Sequence, residues 1–205
     1  MPTNSVINLK HKIGQGWTSR RFMEEMQTRT MELSGIPDTK ARFTEIYANF
    51  ALPAGEAGKF LADSLQTATD LRVFILCTDW CPDVIWNVPV LLRLLEDAGV
   101  PVEVLPMESH ADTMDLFLTD GGRAQPIAVF ARRDGDVLRR WGARPAYIQA
   151  VMDRFKVAYP DKSHPDYRTH QDRTYREIGE LYNAGNRYQE IMVEELAALL
   201  RTFDA

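Results

Sequence analysis

The stretch that decides the fold runs from Arg72 to Leu91 and reads RVFILCTDWCPDVIWNVPVL. Its first part, Val73 to Leu76, is an apolar run of strand-forming residues, which is typical of a strand buried on both faces. Pro82 and Asp83 predict the start of a helix, because an N–H is dispensable there and a carboxylate suits the positive end of the helix dipole. Cys81 therefore falls at the helix cap, where unpaired N–H groups favour a thiolate, and we expect it to be a nucleophile.

Composition and charge limit the functional classes to which the protein can belong. With 205 residues and 45% hydrophobic content, the chain suits one domain with additions or two small domains. The formal net charge of −5 argues against nucleic acid as a partner. The first ten residues contain no apolar run of the length that a signal peptide or a membrane span needs. We therefore expect a cytoplasmic protein that does not associate with membranes.

The residues that could hold a metal or a cofactor are sparse. Two cysteines are poor support for a disulfide framework and indicate free or redox-active thiols. The four histidines are scattered, and none has metal-ligand spacing to a cysteine. No glycine-rich phosphate loop is present in the sequence. We expect neither a metal site nor another cofactor.

The N-terminal third predicts helices. Residues 1–16 carry little pattern, and we expect them to be partly unfolded. Apolar spacings of four and seven predict an amphipathic helix over residues 19–33. A second helix is predicted between Asp38 and Phe50, and a third over residues 56–66. Residues 1–66 are therefore interpreted as an N-terminal helical extension without a catalytic cluster.

The middle of the chain, residues 67–158, alternates strand and helix, which predicts a layered α/β domain with parallel pairing at its centre. The sequence predicts strands at 72–77, 102–105, 127–131 and 137–141, and helices at 83–98, 110–118 and 145–157.

The C-terminal tail, residues 159–205, begins with a polar linker and continues with helical spacing that Gly185 divides in two. Amphipathic helices must bury one face, so we expect this extension to pack with the N-terminal helices against the α/β domain. A homodimer formed through these terminal helices is the alternative.

Five features of the middle region occur in one order along the chain: Trp80-Cys81, Pro89, Gln125-Pro126, Asp134-Gly135 and Gly142. This arrangement resembles the thioredoxin superfamily over roughly residues 67–158. It is most similar to bacterial thioredoxin-like proteins whose site reads Trp-Cys-Gly-Asp-Cys. The resemblance implies a thioredoxin-like central mixed sheet flanked by helices, with extra helices at both termini.

The resemblance also implies a substrate groove. Proteins of this superfamily place a cis-proline against the reactive cysteine, and Pro126 occupies that position here. Trp80, Pro82, Gln125 and Pro126 would then shape a groove beside Cys81. Backbone next to such a proline can pair with an extended peptide by strand addition.

Two positions depart from the family pattern. Val84 stands where the family has its second, resolving cysteine, and Ile75 stands where it has a buried acid. A dithiol cycle needs a second thiol that attacks the mixed disulfide formed by the first. Ordinary dithiol thioredoxin activity is therefore not expected.

Three hypotheses follow. In the first, Cys81 forms mixed disulfides with a protein or a low-molecular-weight partner, and an external thiol resolves them. In the second, Cys77 pairs with Cys81, which requires a Cα separation of about 4.4 to 6.8 Å. In the third, the fold is a binding or scaffolding module whose catalytic site has decayed.

Overall fold

The computed structural model describes residues 7–203. The strands are β1 (Leu71–Cys77), β2 (Val102–Pro106), β3 (Ile127–Arg132) and β4 (Val137–Gly142). The helices are α1 (Ser19–Glu25), α2 (Thr39–Asn49), α3 (Glu56–Thr67), α4 (Pro82–Asp97), α5 (Ala111–Met114), α6 (Ala146–Ala158), α7 (Tyr167–Asn183) and α8 (Arg187–Leu200).

The four strands form one mixed sheet in the order β2-β1-β3-β4. Strand β1 is parallel to β2 and antiparallel to β3, and β4 is antiparallel to β3. Helices flank this sheet, so the predicted fold class, an α/β fold with a thioredoxin-like mixed sheet, is confirmed.

The central strand β1 is buried because both faces of the sheet are covered. Alternate residues point to opposite faces of a strand. Val73, Ile75 and Cys77 join the larger apolar core, which includes α4, whereas Phe74 and Leu76 join a smaller core on the other face. The sequence of β1 is continuously apolar because each of its two faces is buried in one of these cores.

Helix α4 occupies the centre of the larger core. Twelve of its 16 residues are buried, because the sheet covers one side and α2 packs on another. Pro82 lies in its first turn and Pro89 lies inside it. The helix predicted at 83–98 is therefore present, and its N-terminus is fixed directly after Cys81.

The prediction of one helix over residues 19–33 is wrong beyond Glu25. The amide of Gln27 donates to the Asp79 carboxylate at 2.8 Å, and the amide of Arg29 donates to the Thr39 hydroxyl at 3.0 Å. These amides are therefore engaged by distant side chains instead of by carbonyls one helical turn earlier. A short 3-10 turn follows at Glu32–Ser34.

Two smaller corrections concern other segments. The helix predicted at 110–118 is divided into α5 and a 3-10 turn at Asp115–Phe117. The expectation of little structure is wrong for residues 7–16, since Leu9 is fully buried and Asn8 forms an antiparallel bridge with Asp136. Residues 1–6 lie outside the described part of the chain.

The terminal helices contact each other and the α/β unit. Helix α8 packs on α3, and α7 packs on α6 and on the Glu32–Ser34 turn. The ring of Trp86 in α4 stacks on Tyr182 of α7 with ring centroids 5.4 Å apart, and its edge meets Tyr188 of α8. Over residues 7–203, no helix combines the length and apolarity that crossing a bilayer requires.

Candidate active site

Cys81 lies at the N-cap of α4, as the sequence predicts, and is half-buried. Because β1 and β3 are antiparallel neighbours with Leu76 opposite Ile127, the end of β1 and the start of β3 lie side by side. The Gln125–Pro126 peptide bond, which is cis, directly precedes β3. The Cys81 thiol donates to the Gln125 carbonyl oxygen at 3.6 Å. The sheet thus brings together residues 44 positions apart in the sequence.

Trp80 precedes the cap and is 48% exposed. Its indole Nε1 donates to the Glu108 carboxylate at 3.0 Å, which holds the ring next to the loop after β2. Trp80, Cys81 and Pro82 line the same groove. Gln125 faces the cysteine through its carbonyl, while its side chain is buried.

Cys77, the alternative thiol, ends β1 and is fully buried in the larger core. Both cysteines are free. Burial raises the pKa of Cys77 well above its ordinary value, and the nearby Cys81, Glu108 and Asp79 charges raise it further. Cys77 is therefore a neutral apolar-core residue and does not reach the groove.

The two positions at which the sequence departs from the expected thioredoxin pattern are equally closed. Val84 is fully buried in the first turn of α4, and Ile75 is fully buried in β1. Both side chains belong to the larger apolar core.

The expectation that the helix cap lowers the pKa of Cys81 is wrong for this site. Burial of the thiol, followed by the charge of Asp83, raises its pKa from 9.0 to about 12. Hydrogen bonds from the Val84 and Asp83 amides and the charge of Arg144 act in the opposite direction but are outweighed. Cys81 is therefore a protonated thiol at neutral pH.

A buried ion pair supports the start of α4. Arg144 donates through Nε and Nη2 to the two carboxylate oxygens of Asp83, at 2.9 and 2.6 Å. Its Nη1 donates to Gln149 at 3.0 Å. The Tyr182 hydroxyl donates to Asp83 at 3.1 Å and accepts from Asn87 at 2.7 Å. Buried charges are tolerated when they are paired and hydrogen-bonded, as here.

The partners of this network are far apart in the sequence, which is why sequence reasoning missed them. The sequence marks Asp83 only as a helix-start carboxylate, and no local pattern marks Arg144 or Tyr182 as its partners. Asp79, the other acid near Cys81, pairs with Arg29 at 2.8 Å. Both acids are therefore engaged by arginines.

A groove with a volume of about 570 Å³ opens over Cys81. Part of its wall is the segment Thr30–Ser34 from the N-terminal region, and part is Tyr175 and Ile178 of α7. Trp80, Pro82, Asp83 and Arg144 complete the lining. The sequence predicted neither part of the wall, because each depends on how the terminal segments pack.

Nothing in the described residues groups three histidine, cysteine, aspartate or glutamate side chains in a way that would hold a metal ion. The site presents one thiol, an exposed indole and an apolar groove.

A mixed four-stranded sheet, a cysteine at the cap of the helix after its central strand, and a facing proline loop together define a thioredoxin-like protein. Residues 23–156 match the sequence model of the family described as Thioredoxin, which is more than half of the chain. The chain belongs to that family. The match begins within α1, so it includes α2 and α3.

One solved structure supports the fold. A protein of unknown function from Pseudomonas aeruginosa is 17% identical, with a TM-score of 0.51 over 91% of this chain and 92% of that one. An HIV epitope-scaffold is 16% identical, with a TM-score of 0.46 over 90% of this chain and 98% of that one. A search of curated proteins found no match.

Proposed function

We propose that the chain is a one-cysteine thiol–disulfide exchange protein that acts through Cys81. The observation that supports this proposal is the position of the thiol, which lies at the cap of α4, lines a groove and faces the Gln125 carbonyl. Cys77 and Val84 are fully buried, so neither position offers an accessible second thiol. Family membership supports the same chemistry, since this thioredoxin-family chain has a cysteine at the cap of the helix that follows its central strand.

The exchange proceeds in two balanced steps. The Cys81 thiol loses its proton to solvent, and the thiolate attacks one sulfur of a bound disulfide. A bond forms between Cys81 and that sulfur, while the other half leaves as a thiolate and takes up a proton. An external thiol then attacks the mixed disulfide as a thiolate, which releases a new disulfide and restores the Cys81 thiol. No net oxidation of the protein occurs.

The raised pKa sets the rate of the first step. A thiol with a pKa of about 12 is deprotonated in only about one molecule in 100,000 at neutral pH, so exchange without binding is on the order of 100-fold slower than for free cysteine. Holding the reacting groups together can raise effective concentrations far beyond this deficit. The groove is therefore essential to the proposal, because binding must supply the rate.

The same raised pKa favours a second candidate function, a non-catalytic binding module. In that case Cys81 is a neutral residue at the base of the groove, and the groove binds its ligand without covalent chemistry.

Mass spectrometry of the intact chain separates the two functions. The folded protein is incubated with hydroxyethyl disulfide, and the adduct is mapped and then treated with an external thiol. An adduct on Cys81 that forms in the folded chain and is removed by the thiol supports exchange. If the adduct forms only after unfolding, exchange is excluded and the binding module is retained. Iodoacetamide labelling across pH reports the pKa of Cys81 independently.

A further inference from the structure

We propose that the partner in this exchange is a neutral, low-molecular-weight disulfide or thiol with an apolar body, bound in the groove over Cys81. The inference rests on the proposed exchange at Cys81 and adds the chemical class of its substrate. Three properties of the groove carry it: its size, its lining and its charge.

The size of the groove fits a small molecule. Sites for drug-sized ligands and cofactors have volumes of about 300 to 1,000 Å³ and are lined mainly by apolar side chains. The groove over Cys81 has a volume of about 570 Å³. Part of its lining comes from Thr30–Ser34 and from α7, which are separate from the strand and helix that carry the reactive cysteine.

The lining is mostly apolar around the reactive sulfur. The side chains that would contact the body of a ligand are Met31, Leu33, Trp80, Pro82, Tyr175 and Ile178. Trp80 is 48% exposed, a high value for an indole, and covering its ring would remove apolar surface from water. A ligand with an aromatic or aliphatic body therefore gains binding energy directly beside the thiol.

The charge of the groove disfavours anions. Its lining includes two carboxylates, Glu32 and Asp83, and one guanidinium, Arg144, which gives a net charge of −1. Arg144 is neutralised by its two hydrogen bonds to Asp83. Glu32 is exposed and forms no ion pair within the described residues. Glu108 adds a further carboxylate at the indole of Trp80. A disulfide that carries carboxylates is therefore repelled, and the described residues that line the groove offer no unpaired cation to bind it.

Two chromogenic disulfides of similar size test the inference. Dithiodipyridine is neutral at neutral pH, and dithiobis(nitrobenzoic acid) carries two carboxylates. The rate of each with the folded protein is divided by its rate with free cysteine, which removes the difference in leaving-group reactivity. At low ionic strength we expect the normalised rate to be on the order of 10-fold higher for the neutral probe, since like charges repel and salt screens them. Peptide mapping must place both adducts on Cys81, and Cys81→Ser must abolish them.

Variants of the groove sharpen the test. Glu32→Lys reverses the unpaired carboxylate and should reduce the preference for the neutral probe several-fold. Glu180→Lys makes the same change of net charge at an exposed position of α7 that does not line the groove, and should leave the preference within about twofold. Leu33→Asn removes apolar lining without adding charge and should slow the neutral probe. Equal changes in Glu32→Lys and Glu180→Lys would mean that net charge, and not the groove, sets the preference, which overturns the inference.

The outcomes separate the inference from the proposed function. Equal normalised rates, or a preference for the dianionic probe, overturn the neutral apolar substrate while exchange at Cys81 remains. If neither probe modifies Cys81 in the folded chain, but both modify it after unfolding, the exchange function itself fails and the inference fails with it.

Discussion

The start of α4 and the segments that surround it contribute differently to the candidate site. The first region holds Cys81 at a helix cap beside the Gln125 carbonyl, in positions that the sheet fixes. The second region, Thr30–Ser34 and α7, carries no thiol but forms much of the groove wall. In the proposed exchange, reactivity and selection are therefore separate: one region places the sulfur, and the other would determine which molecules reach it.

The largest effect is expected when the reactive thiol of the first region is removed. Cys81→Ser should abolish mixed-disulfide formation completely, because no other described thiol reaches the surface. Cys77→Ala is the matched control, since it removes the buried thiol without burying an unpaired hydroxyl. Intact-mass measurement after exposure to a disulfide checks both variants. An adduct that persists in Cys81→Ser would show that a residue other than Cys81 at the helix cap reacts with the disulfide.

A second change breaks the geometry of the first region while its cysteine is retained. A Cβ on Gly142 would lie 2.1 Å from the Pro126 carbonyl oxygen, and the residue has a φ of +134°. We expect Gly142→Ala to lower the free energy of unfolding by about 2 to 4 kcal/mol. It should also change the labelling rate of Cys81, because the proline loop must shift.

Gly185→Ala is the control for the glycine effect. Gly185 has a φ of +91°, but a Cβ there would meet nothing within 4 Å. Backbone strain alone should cost about 1 kcal/mol. Urea denaturation measures both variants. Equal losses would show that the contact with Pro126 contributes nothing.

The third change acts on the link between the two regions. Tyr182 of α7 donates to Asp83 and accepts from Asn87, both in α4. Tyr182→Phe leaves these two buried groups without that partner, so we expect a loss of about 1 to 3 kcal/mol in the free energy of unfolding. It should also loosen the α7 wall and weaken the preference between the two disulfide probes.

Tyr147→Phe is the matched substitution for comparison. The Tyr147 hydroxyl is buried without a hydrogen-bond partner among the described residues. Removing it should not lower the free energy of unfolding, because no hydrogen bond is lost and the cost of burying an unpaired hydroxyl is relieved. A loss as large as that of Tyr182→Phe would mean that removal of a hydroxyl group, and not the loss of its hydrogen bonds, determines the result.

The last expected effect appears only at high pH. The pKa of Cys81 is raised by folding, from 9.0 to about 12, so the folded state holds this proton more tightly than the unfolded state. The contribution to stability is complete below pH 9 and is lost as pH rises towards 12. The stability difference between wild type and Cys81→Ala should therefore decrease over this range. A difference that stays constant with pH would show that the pKa is not raised.

Local signals in the sequence are sufficient to predict the structure of the first region but not that of the second. The apolar run of β1 and the Pro82-Asp83 pair placed the strand, the helix start and Cys81 correctly, because each signal acts within a few residues. Asp83 and Arg144 are 61 positions apart, and no periodicity links them. The raised pKa of Cys81 was missed for the same reason, since it depends on burial by other segments.

The helix error at residues 19–33 has a related cause. Phe22 and Met26 are buried, as the helical spacing required, yet the amides of Gln27 and Arg29 bond to Asp79 and Thr39. Propensity and spacing describe a segment by itself, whereas tertiary hydrogen bonds can redirect its backbone. That redirection places Thr30–Ser34 over the cysteine instead of in a continuous helix.

The segment from Ile7 to Trp17 also bears on aggregation. Exposed edges of a sheet can pair with strands of another molecule. At the β2 edge, the Trp17 amide donates to the Val104 carbonyl at 2.8 Å, and the Val104 amide donates back at 2.9 Å. At the β4 edge, the Val137 amide donates to the Ile7 carbonyl at 2.9 Å. One N-terminal segment thus shields both outer strands at these positions and protects the sheet from edge-to-edge association with other chains.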